Sequence, residues 1–124
     1  MNYHFTKLIL TSLLLGPLAM PSSAHTTVIG TSPGSGAILE RSPPTIELSF
    51  HDAVRLTSVV AIQPGKPERK LNFTPTDSAA KFTVTDPKLD IGRAEIQWKA
   101  LSKDGHVISG SFIFSIKPAA AKTN

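Results

Sequence analysis

The chain contains no cysteine, and both of its methionines, Met1 and Met20, lie near its start. The first 24 residues have the pattern of a secretory signal peptide, with a short basic start, an apolar segment from Leu8 to Met20 and small residues before Ala24. Cleavage after Ala24 leaves 100 of the 124 residues, beginning with His25. That mature chain contains no sulfur, so any metal site in it must use nitrogen and oxygen ligands, which excludes a soft Cu(I) site.

Long apolar runs and basic runs are also missing. The apolar segment of the leader is too short to span a bilayer core of about 30 Å, so a membrane anchor is not favoured. Removing Lys7 with the leader leaves 12 of the 13 basic residues against 9 acidic ones, spread along the chain. We therefore expect neither nucleic-acid binding nor membrane insertion of the mature chain.

Short stretches of alternating apolar and polar residues, broken by proline and glycine, make up most of the mature chain. This pattern is typical of half-buried strands, and no stretch of ten residues has a helical stripe. It predicts an all-β fold, an immunoglobulin-like antiparallel β-sandwich with Greek-key connections and about seven strands. The domain is expected over residues 25–117, with a tail at 118–124 and Trp98 in the core. The strands are expected at residues 25–29, 45–50, 58–62, 70–74, 81–85, 93–100 and 107–116.

His25 becomes the N-terminal residue if the leader is cut after Ala24. An N-terminal histidine offers two nitrogens to one metal ion, the α-amine and the ring Nδ1, and the amine pKa of about 7.7–8.0 allows a metal to displace its proton near neutral pH. The alternative interpretation is that the cleavage site precedes a histidine by chance.

Asp104 and His106 are separated only by Gly105. In an extended backbone, residues i and i+2 point to the same side, so both side chains can reach one point. The alternative is a tight hairpin turn in which the aspartate accepts backbone hydrogen bonds. Together with His25 the set is three nitrogens and one oxygen, which suits tetragonal Cu(II) best, although Zn(II) takes the same ligand types.

Asp52 follows the strand predicted at residues 45–50. It is a candidate weak ligand or a hydrogen-bond acceptor for a ligand histidine, and a solvated loop carboxylate is the alternative. His51 falls on the polar face of the same strand, and exposure to solvent is its expected state.

The C-terminal part of the chain has a strand with Trp98, then Ser-Lys-Asp-Gly-His at residues 102–106 and Gly-Ser-Phe-Ile-Phe at 110–114. Most specifically in this signature, and more broadly from His25 to about Lys117, the chain resembles the CopC family of periplasmic copper-binding proteins. The resemblance implies a β-sandwich that binds one Cu(II) through His25, Asp104 and His106, with Asp52 as an additional weak ligand. It also implies a CopD-like inner-membrane transporter as a partner. The mature protein is expected to be a monomer. Some members hold Cu(I) in a methionine-rich loop, but residues 61–73 contain no methionine, so no Cu(I) site is expected.

We considered three functions for this sequence. The first is a non-enzymatic periplasmic protein that carries or buffers Cu(II) in copper resistance or homeostasis. A small copper oxygenase is disfavoured, since about 100 residues with one tryptophan and no tyrosine beyond Tyr3 offer little surface for a polymeric substrate. The third is a β-sandwich that only binds other proteins, which the fold alone does not exclude.

Overall fold

The computed structural model describes residues 28–119 and, before them, Gly16 alone. The described residues form no helix, so none that could cross a membrane. Seven strands follow one another along the chain: β1 Val28–Ser32, β2 Ile38–Leu39, β3 Thr45–Ile62, β4 Arg69–Lys70, β5 Ala79–Thr85, β6 Gly92–Leu101 and β7 Val107–Ile116. An all-β fold with seven strands agrees with the fold class expected from the sequence.

The long strand β3 connects two layers of the fold. Its first half pairs with β1 on one side and β5 on the other. Its second half pairs with β4 and β6, and β6 pairs with β7 over ten residues. These pairs are antiparallel, whereas the short β2 joins the outer edge of β7 in parallel.

β3 runs through the position where the sequence predicted a break. Two strands were expected there, at residues 45–50 and 58–62, but a single strand of 18 residues spans both. The pairing of β3 with β5 shifts register between Ser49 and Val54, and His51, Asp52 and Ala53 are exposed one after another. Alternation fails at this irregularity, which is why the pattern gave no strand there.

Other strand boundaries also differ from expectation, and the short β2 was not predicted. β1 includes Gly30–Ser32, which were expected in a loop, because residues 30–32 pair with residues 47–49 of β3. β4 contains only Arg69 and Lys70 instead of residues 70–74, and Thr74 forms an isolated bridge with Thr83.

The core lies between the layers and takes the inward positions of every long strand. Trp98 is 7 % exposed, which confirms its expected place in the core. Its ring contacts the ring of Phe50 edge-on, with 5.1 Å between the ring centroids. The contact joins β6 to the end of the first half of β3. The largest fully buried residues are Phe82, Phe114, Ile46, Leu48, Ile96, Val54, Val59, Val84 and Pro87.

Candidate metal centre

The hairpin between β6 and β7 carries the Asp-Gly-His sequence. Leu101 and Val107 form the last pair of the ladder, and residues 102–106 connect them. The backbone N–H of Ser102 donates to the carbonyl of His106 at 2.8 Å, and that of Gly105 donates to the carbonyl of Ser102 at 3.0 Å. Gly105 has a φ of +89°, a conformation that glycine adopts without the steric cost of a Cβ.

Within this turn, Asp104 contacts both the backbone and the ring of His106. One carboxylate oxygen, Oδ1, accepts the backbone N–H of His106 at 3.3 Å, as in an Asx turn. The other oxygen, Oδ2, lies 2.8 Å from Nδ1 of the imidazole. Both side chains remain accessible, at 48 % for Asp104 and 67 % for His106, so a solvated ion can reach them.

The two side chains come together for a different reason from the one expected. An extended backbone was expected at residues 104–106, and that expectation is wrong, because Lys103 and Asp104 form a turn and the backbone bends at Gly105. The alternative interpretation, a tight hairpin turn with Asp104 as acceptor, describes the backbone correctly. The turn is compatible with a ligand role, since it places a carboxylate and an imidazole side by side.

Ser102 is a further residue of this group, and its role was not predicted from the sequence. It is buried, and its hydroxyl donates to Asp104 Oδ1. The hydroxyl also lies 3.1 Å from the carbonyl oxygen of His106, but its single hydrogen is better used by the charged carboxylate. The spacing Ser-x-Asp was the available signal, because a hydroxyl two residues before a turn aspartate can reach its carboxylate.

The hydrogen bonds to Asp104 favour its ionised form. The hydroxyl of Ser102 is the main cause, followed by the ring and the backbone N–H of His106, and together they hold the pKa of Asp104 well below its ordinary value of 3.8. The carboxylate is therefore charged throughout the pH range in which a divalent cation would compete for it.

His51 and Asp52 form a second pair of the same kind. Nδ1 of His51 lies 3.3 Å from Oδ2 of Asp52, and the side chains are 72 % and 61 % exposed. The exposure expected for His51 is confirmed. Asp52, which was expected just after a strand, lies within β3 at its register irregularity.

The strand registers bring these segments to one end of the sandwich. Arg55 of β3 pairs with Leu101 in an antiparallel ladder. The residues after Leu101 therefore run alongside the residues of β3 that precede Arg55, toward His51. On the other side of β3, Val28 pairs with Phe50. The start of the described chain, the irregularity of β3 and the 102–106 hairpin are thus neighbours.

The pairs His51–Asp52 and Asp104–His106 do not by themselves form a centre of three or more metal ligands. Within residues 28–119, no three side chains of His, Cys, Asp or Glu are grouped closely enough to hold one metal ion. His25 and the cleavage site after Ala24 lie outside the described residues, so the expected third member of the centre stays a prediction.

Comparison with known proteins identifies the family. The sequence model of the CopC domain family matches residues 28–117 of the chain. The chain belongs to the CopC family. Proteins of this family are copper-binding and transport proteins and not enzymes.

One sequence relative is named copper transport protein CutJ, from Bacillus subtilis strain 168. It is 31 % identical over 114 residues, which are 86 % of this chain and 21 % of the relative. The chain thus spans about a fifth of the length of this relative.

Solved structures of CopC-type proteins have the same fold. CopC from Methylosinus trichosporium OB3b superposes with a TM-score of 0.65 at 24 % identity, covering 80 % of this chain and all of that one. PcoC, a methionine-rich copper resistance protein from Escherichia coli, superposes with a TM-score of 0.58 at 18 % identity, covering 76 % of this chain and all of that one. At these identities the superpositions establish the β-sandwich fold.

Proposed function

We propose that this CopC-family chain binds one Cu(II) ion and carries or buffers it in the periplasm. The observation that carries the proposal is the contact of Asp104 and His106 in a hairpin beside the start of β1. The ion is cargo in this function, so the protein must take it up and release it without chemical change.

The third contributor to the site is His25, the N-terminal residue after the proposed cleavage. It lies three residues before Val28, which limits its distance from Val28 to about 11 Å even for a fully extended chain. Because β1 and β3 are antiparallel, an extended chain before Val28 would run alongside His51 and Asp52, toward the hairpin. We propose that this reach brings the amine and the imidazole of His25 to Asp104 and His106.

The donor set favours Cu(II). An amine and two imidazoles supply three nitrogens and the ionised Asp104 supplies an oxygen, which suits tetragonal Cu(II). Asp52 would act as a weak ligand or as a hydrogen-bond acceptor for a ligand histidine. No methionine lies among residues 25–124, so thioether ligands for Cu(I) are missing, and we propose one Cu(II) and no Cu(I) site.

The leader supports export, and the relative supports a link to transport. We propose that residues 1–24 are a signal peptide that directs the mature domain out of the cytoplasm. The relative is called a copper transport protein and is much longer than this chain. We infer that the mature domain works as a monomer that exchanges copper with a CopD-like inner-membrane transporter.

The test is a titration of the exported protein with Cu(II), followed by electron paramagnetic resonance. We expect one tightly bound ion with nitrogen ligands, and weaker binding at lower pH because protons compete for the amine and the imidazoles. His106→Ala should lower the affinity by more than the 10–100-fold (order of magnitude) that loss of an outer hydrogen-bond partner costs.

A matched control isolates the amine. A protein with one alanine ahead of His25 keeps every side chain but moves the free amine, and it should lose tight binding while the fold stays intact. Mass spectrometry of the exported protein must give a chain starting at His25. A start at Thr26 or later, a spectrum without nitrogen ligands, or unchanged binding in His106→Ala would overturn the proposal.

A further inference from the structure

The base of the β6–β7 hairpin exposes an apolar pair on the outer face of the sheet. Leu101 and Val107 are opposite each other in the ladder and are 36 % and 70 % exposed. Their neighbours in the same strands, Ala100 and Ile108, are buried, so Leu101 and Val107 point away from the core. Since Val107 directly follows His106, this apolar pair adjoins the candidate metal centre.

Basic side chains surround the apolar pair. Arg55 is opposite Leu101 on the β3 side, and Lys99 is the next outward residue of β6. Lys103 is exposed in the hairpin itself. The ion pairs among the described residues include none of these three basic side chains, so their charges are available to another molecule. We call Arg55, Lys99, Leu101, Lys103 and Val107 the basic–apolar patch.

A polar groove continues the patch along the outer face of the sheet. Lys99 lines it together with the hydroxyl groups of Ser58, Ser109 and Ser111, which can donate and accept hydrogen bonds. Glu68 also lines the groove, but it forms no ion pair with Lys99. An apolar centre with a polar and charged rim is the usual arrangement of a protein–protein interface.

We propose that the basic–apolar patch docks an acidic face of the protein with which this chain exchanges copper. Carboxylates of that partner face Arg55, Lys99 and Lys103, and an apolar side chain of the partner covers Leu101 and Val107. A partner docked there lies against the hairpin, so the ion travels only a short distance between the two proteins. The exchange of copper rests on the proposed function, whereas the docking surface itself is independent of it.

The charge of the patch selects this occupant over two others. A second copy of the chain would bring like charges together, which is unfavourable across an interface. Attraction to an anionic membrane surface usually depends on clusters of about four to eight lysines and arginines, and the patch contains three. An acidic protein surface complements both the charge and the apolar centre.

The test uses the mature, metal-free protein labelled with nitrogen-15 and a short synthetic peptide composed of glutamate and leucine. Titration with this peptide should change the amide chemical shifts of residues 99–103 and 107–111. Binding should weaken as salt is added, because salt screens the attraction between exposed charges. A peptide with glutamine in place of glutamate is the matched probe and should bind much more weakly.

Charge reversal locates the binding surface. Arg55→Glu/Lys99→Glu should lower the affinity for the acidic peptide about tenfold or more, because attraction becomes repulsion. Arg41→Glu/Lys117→Glu is the matched control, since it exchanges the same residue types and changes the net charge equally. Arg41 and Lys117 follow β2 and β7 at the end opposite the hairpin, so this variant should bind the peptide as the wild type does.

The apolar centre is tested by Val107→Thr, which keeps the branched shape and replaces one methyl group. It should lower the affinity about fourfold, the effect of one apolar group that is no longer buried. Ile38→Thr is the control, because Ile38 is also an apolar strand residue and is 72 % exposed, but lies in β2. Circular dichroism checks that each variant is folded.

Equal affinities for the glutamate and glutamine peptides, or equal losses in the two charge-reversal variants, would overturn the docking surface. Binding of phosphatidylglycerol vesicles at the same residues without binding of the acidic peptide would overturn the protein partner in favour of a membrane. These measurements contain no copper. Failure of docking therefore leaves the Cu(II) titration unchanged, and failure of the proposed copper site leaves the peptide titration unchanged.

Discussion

The imidazole of His106 contacts the carboxylate of Asp104 at 2.8 Å across a turn in which Gly105 has a φ of +89°. The same carboxylate accepts the hydroxyl of the buried Ser102 and the backbone N–H of His106. One aspartate thus fixes the hairpin and orients the imidazole. The hairpin is arranged before any ion binds, which lowers the ordering cost of binding.

Ser102→Ala should raise the pKa of Asp104 toward its ordinary value of 3.8, since the serine hydroxyl is the main cause of its lowering. Carbon-13 chemical shifts of the carboxyl groups, followed as a function of pH without metal, measure this directly. Asp90 provides an internal control, because its pKa is lowered by Lys66 in another part of the fold and should not change. An unchanged Asp104 titration would show that the hydroxyl does not stabilise the carboxylate.

The sign of the pH dependence follows from the same shift. Because folding lowers the pKa of Asp104, the stabilisation from its ionised form is fully present above about pH 3.8 and is lost as the pH falls toward the folded value. Wild type should therefore lose part of its stability advantage over Ser102→Ala in acid, measured by urea unfolding at pH 6 and at pH 3. An advantage that grows in acid would contradict this assignment.

Gly105→Ala tests the backbone of the turn. Nothing lies within 4 Å of a Cβ built on Gly105, so any cost arises from the positive φ and not from contact. We expect a loss of about 1–2 kcal/mol in the free energy of unfolding. Gly34→Ala is the matched control, because its Cβ also meets nothing within 4 Å and its φ is not positive, and it should be close to neutral. Equal effects of both substitutions would mean that the turn is not strained by a side chain.

Alternation in the sequence predicted which strand residues face the core, but it did not predict that β3 is continuous. Ile46, Leu48, Trp98 and Phe112 were assigned to the core from alternation alone, and all are buried. The break predicted inside β3 failed because a register shift removes alternation without ending the strand. Periodicity therefore identifies a strand only where its register is regular.

The candidate site shows a similar division. The Asp-Gly-His sequence and its family resemblance made Asp104 and His106 candidate ligands, yet the predicted extended geometry was wrong. The contact depends on a positive φ at Gly105 and on the buried Ser102, and neither follows from side-chain periodicity. The pair of His51 and Asp52 also depends on the register shift of β3, which the sequence does not reveal.

Gln63→Ala should destabilise the fold without changing copper binding. The buried amide of Gln63 donates to the carbonyl of Asp90 at 2.8 Å and accepts its N–H at 3.1 Å. The substitution leaves the carbonyl and the N–H of Asp90 without this partner, which should lower the free energy of unfolding by about 1–3 kcal/mol, measured by urea unfolding. Gln63 follows the C-terminal end of β3, away from the 102–106 hairpin, so the Cu(II) affinity should stay at the wild-type value. Gln97→Ala, at an exposed position of β6, is the control and should change stability by less than about 0.5 kcal/mol.

Gly110→Ala should displace Trp98. The two residues are opposite each other in the β6–β7 ladder, and a Cβ built on Gly110 would lie 2.6 Å from Cζ2 of the indole, closer than atoms can approach. The ring must shift, which disturbs its edge-on contact with Phe50, and overpacking of this kind costs about 1–3 kcal/mol. Unfolding curves measure the cost, and the fluorescence of the single tryptophan reports the shift. Gly30→Ala, whose Cβ meets nothing within 4 Å, is the control and should leave the emission unchanged.

Since Phe50 pairs with Val28, a displaced Trp98 should also weaken Cu(II) binding if β1 positions the N-terminus. Wild-type affinity in a Gly110→Ala protein with shifted emission would show that the site does not depend on this contact.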